Sequence, residues 1–303
     1  MNFQGIYAPA ITPLTAQGEI DYPAFDAVLE HLIASKIHGI IIGGSTGEYY
    51  AHTTEERLAL ADHARQVIAS RLPLIVGTGA IRTEDAVAYA KAAKATGADA
   101  ILVTTPPYAV PTSQEIADHV LAIDAATDLP IMLYNYPGRM GVPMDDVFFD
   151  AIAGARNIVA IKESSGDVTR IHRLARHYPH ISLSCGWDDQ ALEFFAWGAP
   201  SWVCAGANFV PAEHVALYEA CVVEKDFTKG RAIMSAMLPL MEFLDGGKFV
   251  ASIKAGCELI GLRTGGVRAP LKPLDAAEKE TLGGIIEALR AEVAAIQAGA
   301  AHG

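Results

Sequence analysis

GIIIGGSTGEYYAHTTEERLALADHARQVIASRLPLIVGTG, residues 39–79, contains one full repeat of the pattern that decides the fold. It opens with three isoleucines, Ile40 to Ile42, a β-branched run that is apolar on both faces and breaks into Gly43 and Gly44. TTEERLALADHARQVIAS, 53–70, follows with apolar residues at helical spacing. Thr53, with Glu56 three residues on, is the signature of a capping box. A second apolar run, PLIVGTG at 73–79, ends the unit. Strands apolar on both faces and separated by a helix indicate a parallel pair covered on both sides.

The alternation extends in both directions. Further strand candidates are GIYAPAI (5–11), DAILVTT (99–105), PIMLYNY (130–136), NIVAIKE (157–163), ISLSCGW (181–187) and SWVCAGA (201–207). The helical segment TEDAVAYAKAAKATGA (83–98) carries Gly97 as its C-terminal stop. Eight strand-helix units predict an α/β fold, a closed (β/α)₈ TIM barrel over residues 1–224. Residues 225–303 read as a C-terminal extension of three helices packed against it. The rival fold is a doubly wound open sheet, which usually carries G-x-G-x-x-G after its first strand; GIYAPAITPL has no such turn.

The 303 residues are 51% hydrophobic and 19% charged, an ordinary globular balance. With Lys plus Arg at 23 and Asp plus Glu at 35, the net charge of −12 argues against nucleic acid or an anionic membrane as partner. It leaves a small anionic substrate open, because a site needs only one or two local donors. No apolar run approaches the roughly 20 residues needed to cross a bilayer. MNFQGIYAPAITPL lacks the basic start and apolar stretch of a secretion signal. Cys185, Cys204, Cys221 and Cys257 show no C-x-x-C spacing, which suits reduced thiols and a cytoplasmic location. The ten histidines include no H-E-x-x-H or similar ligand spacing, which argues against metal catalysis; a covalent amine mechanism would need no organic cofactor either.

Chemistry in such barrels sits at the C-terminal ends of the strands. There NIVAIKE places a lysine, Lys162, where Ile158 and Ala160 precede it on the same face by simple alternation. An inward lysine loses hydration, which favours its neutral amine, and a neutral amine attacks carbonyl carbon to form a Schiff base. The alternatives are a side chain that snorkels outward or pairs with Glu163. Tyr134 stands at a similar height on the fifth strand, about 4.8 Å away, close enough for phenol and amine to share a proton path. GGSTGE (43–48) reads either as a tight turn or as a concavity whose N–H groups and Ser45 and Thr46 hydroxyls hold a carboxylate. No G-K-[ST] follows it, so it is not a phosphate loop. Arg139, in a Pro-Gly-Arg turn, suits bidentate capture of a second carboxylate unless it is merely solvated. Asp188 and Asp189 read as caps of the following helix. HRLARHYPH (172–180) reads as the polar side of a helix, and Met234 and Met237 as helix core.

At GGSTGE, YNYPGRMG (134–141) and IKESSGD (161–167), and over nearly its full length, the chain resembles the pyruvate-dependent class I lyases. That family includes dihydrodipicolinate synthase and N-acetylneuraminate lyase. The resemblance implies a (β/α)₈ barrel with a C-terminal helical extension, working without cofactor as a homotetramer of paired dimers. It puts the Schiff-base lysine on Lys162 and the proton-shuttling tyrosine on Tyr134. Ser45 and Thr46 take the carboxylate-binding hydroxyls, with Thr46 linking to the tyrosine. Tyr108 corresponds to a tyrosine that a neighbouring subunit supplies, and Arg139 to the synthase arginine for the second carboxylate. Gly47 and Val203 complete the expected substrate-binding set.

The chain also departs from the lysine-making synthases. Pro107 and Ala109 flank Tyr108 in place of an aromatic residue and an Asn, and GGKFVASIKAGCELIGL (246–262) replaces an Asn-Pro-Ile-Pro type stretch. The inhibitory lysine pocket of many bacterial synthases maps approximately onto Thr54, Arg57, Ile81 and Pro107, which cannot reproduce its contacts. Lysine feedback is therefore not expected. The resemblance leads to condensation of pyruvate with aspartate semialdehyde. It leaves open a catabolic 2-oxo-3-deoxy sugar acid aldolase or dehydratase, a hydroxypyrroline-carboxylate deaminase, and a barrel that only binds an oxo acid.

Overall fold

The computed structural model describes residues 1–299. Its eight strands are β1 (Gly5–Pro9), β2 (Gly39–Ile42), β3 (Leu74–Gly77), β4 (Ala100–Thr104), β5 (Ile131–Asn135), β6 (Ile158–Glu163), β7 (Ser182–Cys185) and β8 (Ser201–Val203). All pair in parallel with their sequence neighbours, and β1 also pairs with β8, so the sheet closes on itself. The eightfold alternation is thus a (β/α)₈ barrel, and each strand lies inside the run that announced it.

The helices of the barrel are α1 (Tyr22–Ala34), α2 (Thr54–Ile68), α3 (Thr83–Thr96), α4 (Ser113–Ala126), the short α5 (Pro137–Met140) and α6 (Asp146–Ala151), α7 (Thr169–His177), α8 (Ala191–Ala196) and α9 (Pro211–Tyr218). Three more follow: α10 (Phe227–Asp245), α11 (Phe249–Leu259) and α12 (Ala276–Gln297). Local signals set their ends. Thr53 and Glu56 close both arms of the capping box of α2, a cap whose removal costs about 1 kcal/mol. Gly97 ends α3 at φ 84°, in the left-handed region that a side chain disfavours. Along α7 only Ile171 and Leu174 are buried, so the histidine-rich stretch is its polar side. Met234 and Met237 are core residues of α10.

Two apolar clusters follow from strand alternation. The inner one fills the barrel and includes Tyr7, Ile41, Ile75, Leu102, Met132, Tyr134, Ala160 and Val203. The outer one, between barrel and helices, takes the intervening positions and runs on through α10, α11 and α12. Simple alternation misplaces one residue. Ile158 belongs to the outer cluster, while Val159 and Ala160 both pack on the inner one. The cause is a register shift between β5 and β6: Ile131 pairs with Ile158, but Met132 pairs with Ala160, leaving Val159 as an extra residue.

All four cysteines are buried and free. Among the described residues no helix is long and apolar enough to cross a membrane.

Candidate active site

A cavity of about 260 Å³ opens at the C-terminal mouth of the barrel. Lys162, Tyr134, Ser45, Thr46, Arg139 and Val203 all face it, so six of the eight residues expected at the site are brought together.

Lys162 comes from the end of β6, level with Tyr134 on β5 and Ser184 on β7. Its side chain is only 8% exposed. Burial pushes its amine down to about 8; Asp188 opposes that fall and Arg139 reinforces it. Nζ lies 4.2 Å from the centre of the Tyr134 ring, in cation–π range when protonated. The outward alternative does not hold, because the carboxylate of Glu163 is taken up elsewhere. It accepts from Asn135 Nδ2 at 2.9 and 2.8 Å, from Ser165 N at 2.8 Å and from Arg170 Nε at 3.1 Å. Gly186 makes room for the lysine: a Cβ there would stand 2.6 Å from Lys162 Cγ and 2.1 Å from Ser164 Oγ.

Tyr134 is buried, and burial pushes its phenol up to about 12, while Arg139 and the Ser45 and Ser164 hydroxyls pull it back. The Ser45 hydroxyl brings the loop to bear on this phenol, and Thr46, the expected link to it, faces the same cavity. The loop itself is a tight turn, with Gly47 N bonding Gly44 O at 3.1 Å and Glu48 N bonding Ser45 O at 3.1 Å. The N–H groups of Ser45 and Thr46 have no partner among the described residues. Two free amides beside two hydroxyls on a cavity wall suit a carboxylate. Val203, at the end of β8, is buried in the same wall. Arg139 reaches the rim from α5, its guanidinium 5.2 Å from the Tyr136 ring and 5.6 Å from that of Phe249.

Two expected residues do not line the cavity. Gly47 sits behind the loop: its carbonyl accepts from Thr12 Oγ1 at 2.9 Å, and a Cβ would meet Ala10 O at 2.9 Å. Its role within this chain is to let the turn pack on the segment that follows β1. Tyr108 is 91% exposed on the loop after β4, at φ 70°. Nothing within the single chain brings it to Lys162.

Asp188 corrects the sequence reading. It does not cap α8, whose first turn has no side-chain cap. Its carboxylate accepts from Trp202 Nε1 at 2.8 Å and lines the cavity. Burial pushes it up to about 7, against the pull of Trp202 and Lys162. The signal was its place at a strand end, which outranks a capping preference. The corner between α10 and α11 also belongs to the site, although no local sequence signal points to it. Leu244, Asp245, Gly247 and Phe249 close one side of the cavity, whereas the sequence pattern marks the extension only as packing. Burial raises the Asp245 carboxyl, and Arg139 draws it back. Among the described residues no group of three or more His, Cys, Asp or Glu side chains is placed to hold a metal ion.

Away from the mouth, the positions that map to the lysine pocket are occupied. The Arg57 guanidinium lies 3.7 Å from the Tyr89 ring centre and donates to Gly79 O at 2.8 Å and Gly77 O at 3.0 Å. Thr54 Oγ1 bonds Tyr89 OH at 2.9 Å, and Ile81 is exposed. A free lysine ammonium would meet the half-buried Arg57 cation there instead of acceptors. Excess L-lysine is therefore expected to leave turnover unchanged; saturable inhibition in a steady-state assay would contradict this.

Comparison with known proteins agrees in fold and sequence. The model of the dihydrodipicolinate synthetase family matches residues 2–289. A 4-hydroxy-tetrahydrodipicolinate synthase of Exiguobacterium sibiricum is 37% identical over 270 residues, 89% of this chain and 92% of that protein. Its counterpart from Bacillus subtilis is 32% identical, covering 95% of this chain and 100% of the relative. Among solved structures, a putative dihydrodipicolinate synthetase from Pseudomonas aeruginosa superposes with a TM-score of 0.92 at 34% identity, over 95% of this chain and 100% of that one. The 4-hydroxy-tetrahydrodipicolinate synthase of Methylacidiphilum fumariolicum SolV gives 0.93 at 31% identity, over 98% and 99%.

Proposed function

The chain belongs to the dihydrodipicolinate synthetase family and is a lyase of the class I aldolase type, and from that premise we propose that Lys162 forms a Schiff base with pyruvate or a related 2-oxo acid. The observation that carries the reading is the buried Lys162 amine, held down to about 8 and facing a cavity beside Tyr134 and two free amides.

In this mechanism the free N–H groups and hydroxyls of Ser45 and Thr46 hold the oxo acid's carboxylate and aim its ketone at Lys162. The neutral amine adds to the carbonyl carbon, and Tyr134 delivers the proton with which the carbinolamine oxygen leaves as water. The protonated imine draws electrons from the adjacent carbon, which loses a proton to give an enamine. The enamine carbon attacks the aldehyde carbonyl, the new alkoxide is protonated, and water hydrolyses the imine to free Lys162. In a homotetramer of paired dimers, Tyr108 of a neighbouring copy completes the proton relay with Thr46. Arg139 takes the second carboxylate, which makes aspartate semialdehyde the first aldehyde to assay. The barrel, residues 1–224, carries the covalent chemistry, and the extension, 225–303, closes the site.

Borohydride reduction in the presence of pyruvate tests this, with adduct mass located on Lys162 by peptide mapping. The sign of the pH dependence follows from the amine: only its neutral form attacks, and protonation grows as pH falls below about 8. At pH 7 roughly one amine in ten is neutral, at pH 8 roughly half. The initial trapping rate is therefore expected to rise about tenfold from pH 6 to 7 and level off above pH 9. No adduct, or an adduct on another lysine, refutes the reading.

A second reading is favoured by one observation. Asp188 and Asp245 put two carboxyl groups on the cavity wall, acceptors suited to the hydroxyls of a 2-oxo-3-deoxy sugar acid or to the amine released by a deaminase. Turnover of pyruvate with aspartate semialdehyde, measured against a panel of such acids and of hydroxypyrroline carboxylate, decides between the two.

A further inference from the structure

One buried ion pair lies outside the mechanism. Glu48 and Lys254 are each 1% exposed, and Lys254 Nζ sits 2.5 Å from Glu48 Oε2. The pair joins distant parts of the chain. Glu48 ends the loop that carries Ser45 and Thr46, while Lys254 lies in α11. The other Glu48 oxygen, Oε1, accepts from Arg268 N at 3.1 Å, and Lys254 Nζ also donates to Gly266 O at 2.5 Å. The carboxylate is thus gripped from two sides by the C-terminal extension.

Glu48 also has φ 57°, in the left-handed region that a side chain with a Cβ disfavours. Such a conformation persists only where its surroundings over-determine it, and it clusters at functional sites. The residue holds this shape two positions after Thr46, whose N–H, with that of Ser45, is left free at the cavity. Burying two charges is a poor route to stability, and well-packed apolar replacements are often neutral or better. A fixed conformation is the better-supported use of such a pair.

We propose that the Glu48–Lys254 pair, with the Arg268 amide, is a positioning device that holds Glu48 in its left-handed turn and so keeps the Ser45 and Thr46 amides aimed at the carboxylate of the incoming oxo acid. This rests on the carboxylate role given to those amides above. Neither residue lines the cavity. Their effect reaches the site through the backbone of residues 45–48, and the C-terminal extension becomes part of the binding machinery through it.

Borohydride trapping of pyruvate at Lys162 provides the test, because it needs no second substrate. Two double variants separate backbone shape from charge. Glu48→Leu/Lys254→Met removes both charges but keeps a side chain at the strained position; Glu48→Gly/Lys254→Met removes both and lets that position adopt positive φ freely. The first is expected to need at least tenfold more pyruvate for half-maximal trapping, with the maximal adduct per chain unchanged. The second is expected to return to within about threefold of wild type. Unchanged half-saturation in the first overturns the inference. So does a parallel loss of melting temperature and maximal adduct in both variants, which marks a purely structural pair. Should the first variant not fold, Glu48→Gln carries the test: several-fold weaker half-saturation supports the device and a wild-type value overturns it. Pyruvamide, which lacks the carboxylate, separates the two readings. Equal trapping of pyruvate and pyruvamide by the wild type sinks the carboxylate role itself, whereas preference for pyruvate with unaltered variants sinks only the positioning device.

Discussion

Lys162→Arg is expected to abolish borohydride trapping by pyruvate and to lower turnover by roughly 10⁴-fold or more, since a covalent route disappears with its nucleophile. Arginine keeps the positive charge and the long stem but stays protonated at every working pH, so it offers no lone pair to a carbonyl. The substitution therefore separates attack from electrostatics. If the lysine only attracted an anionic substrate, arginine would preserve much of the rate. The wild-type amine is available because burial pushes it down to about 8. A guanidinium in the same space has no such route to neutrality and must be hydrated or paired, with Asp188 as the nearby acidic group. Circular dichroism controls for misfolding, and the decisive measurements are adduct mass and kcat. Activity within tenfold of wild type would falsify the covalent mechanism.

Tyr134→Phe is expected to lower kcat by about 10²- to 10⁴-fold, the range for loss of a positioned acid or base. The phenyl ring keeps the face that lies 4.2 Å from Lys162 Nζ and the packing on the inner cluster, so the lesion is confined to one oxygen. Half-saturation by pyruvate should change little, because the carboxylate site proposed above is the Ser45–Thr46 loop and not the phenol. The same loss in imine formation and in overall turnover would place the phenol in carbinolamine collapse. A wild-type trapping rate with slow turnover would move it to the later carbon–carbon step. Full activity would remove it from the mechanism.

Much of this was legible in the sequence because the barrel repeats one simple unit. Runs apolar on both faces are what a parallel sheet covered by helices leaves in a sequence, and all eight of those runs contain strands. Strand ends were equally readable: Lys162, Tyr134, Ser45 and Thr46 stand out as polar residues where apolar runs stop. Asp188 was harder, because Asp just before a helix is a common cap and nothing local reveals that Trp202, 14 residues on, takes up its carboxylate. Asp245 and Phe249 were illegible for a different reason. They reach the cavity through the packing of α10 and α11 on the barrel, and long-range packing leaves no periodic trace. Tyr108 marks a further limit: its side chain is exposed and lies away from the cavity lining among the described residues.

The extra residue at Val159 turns a matter of shape into a matter of parity. Beyond it, odd and even positions of β6 swap faces, which is how the amine of Lys162 enters the hollow while the carboxylate of Glu163 joins Asn135 and Arg170 outside. Were Val159 instead taken into the ladder as an ordinary paired residue, the strand could still fill its slot in the wall, yet acid and amine would trade places and the proposed nucleophile would leave the hollow. Counting, as much as chemistry, makes the catalyst.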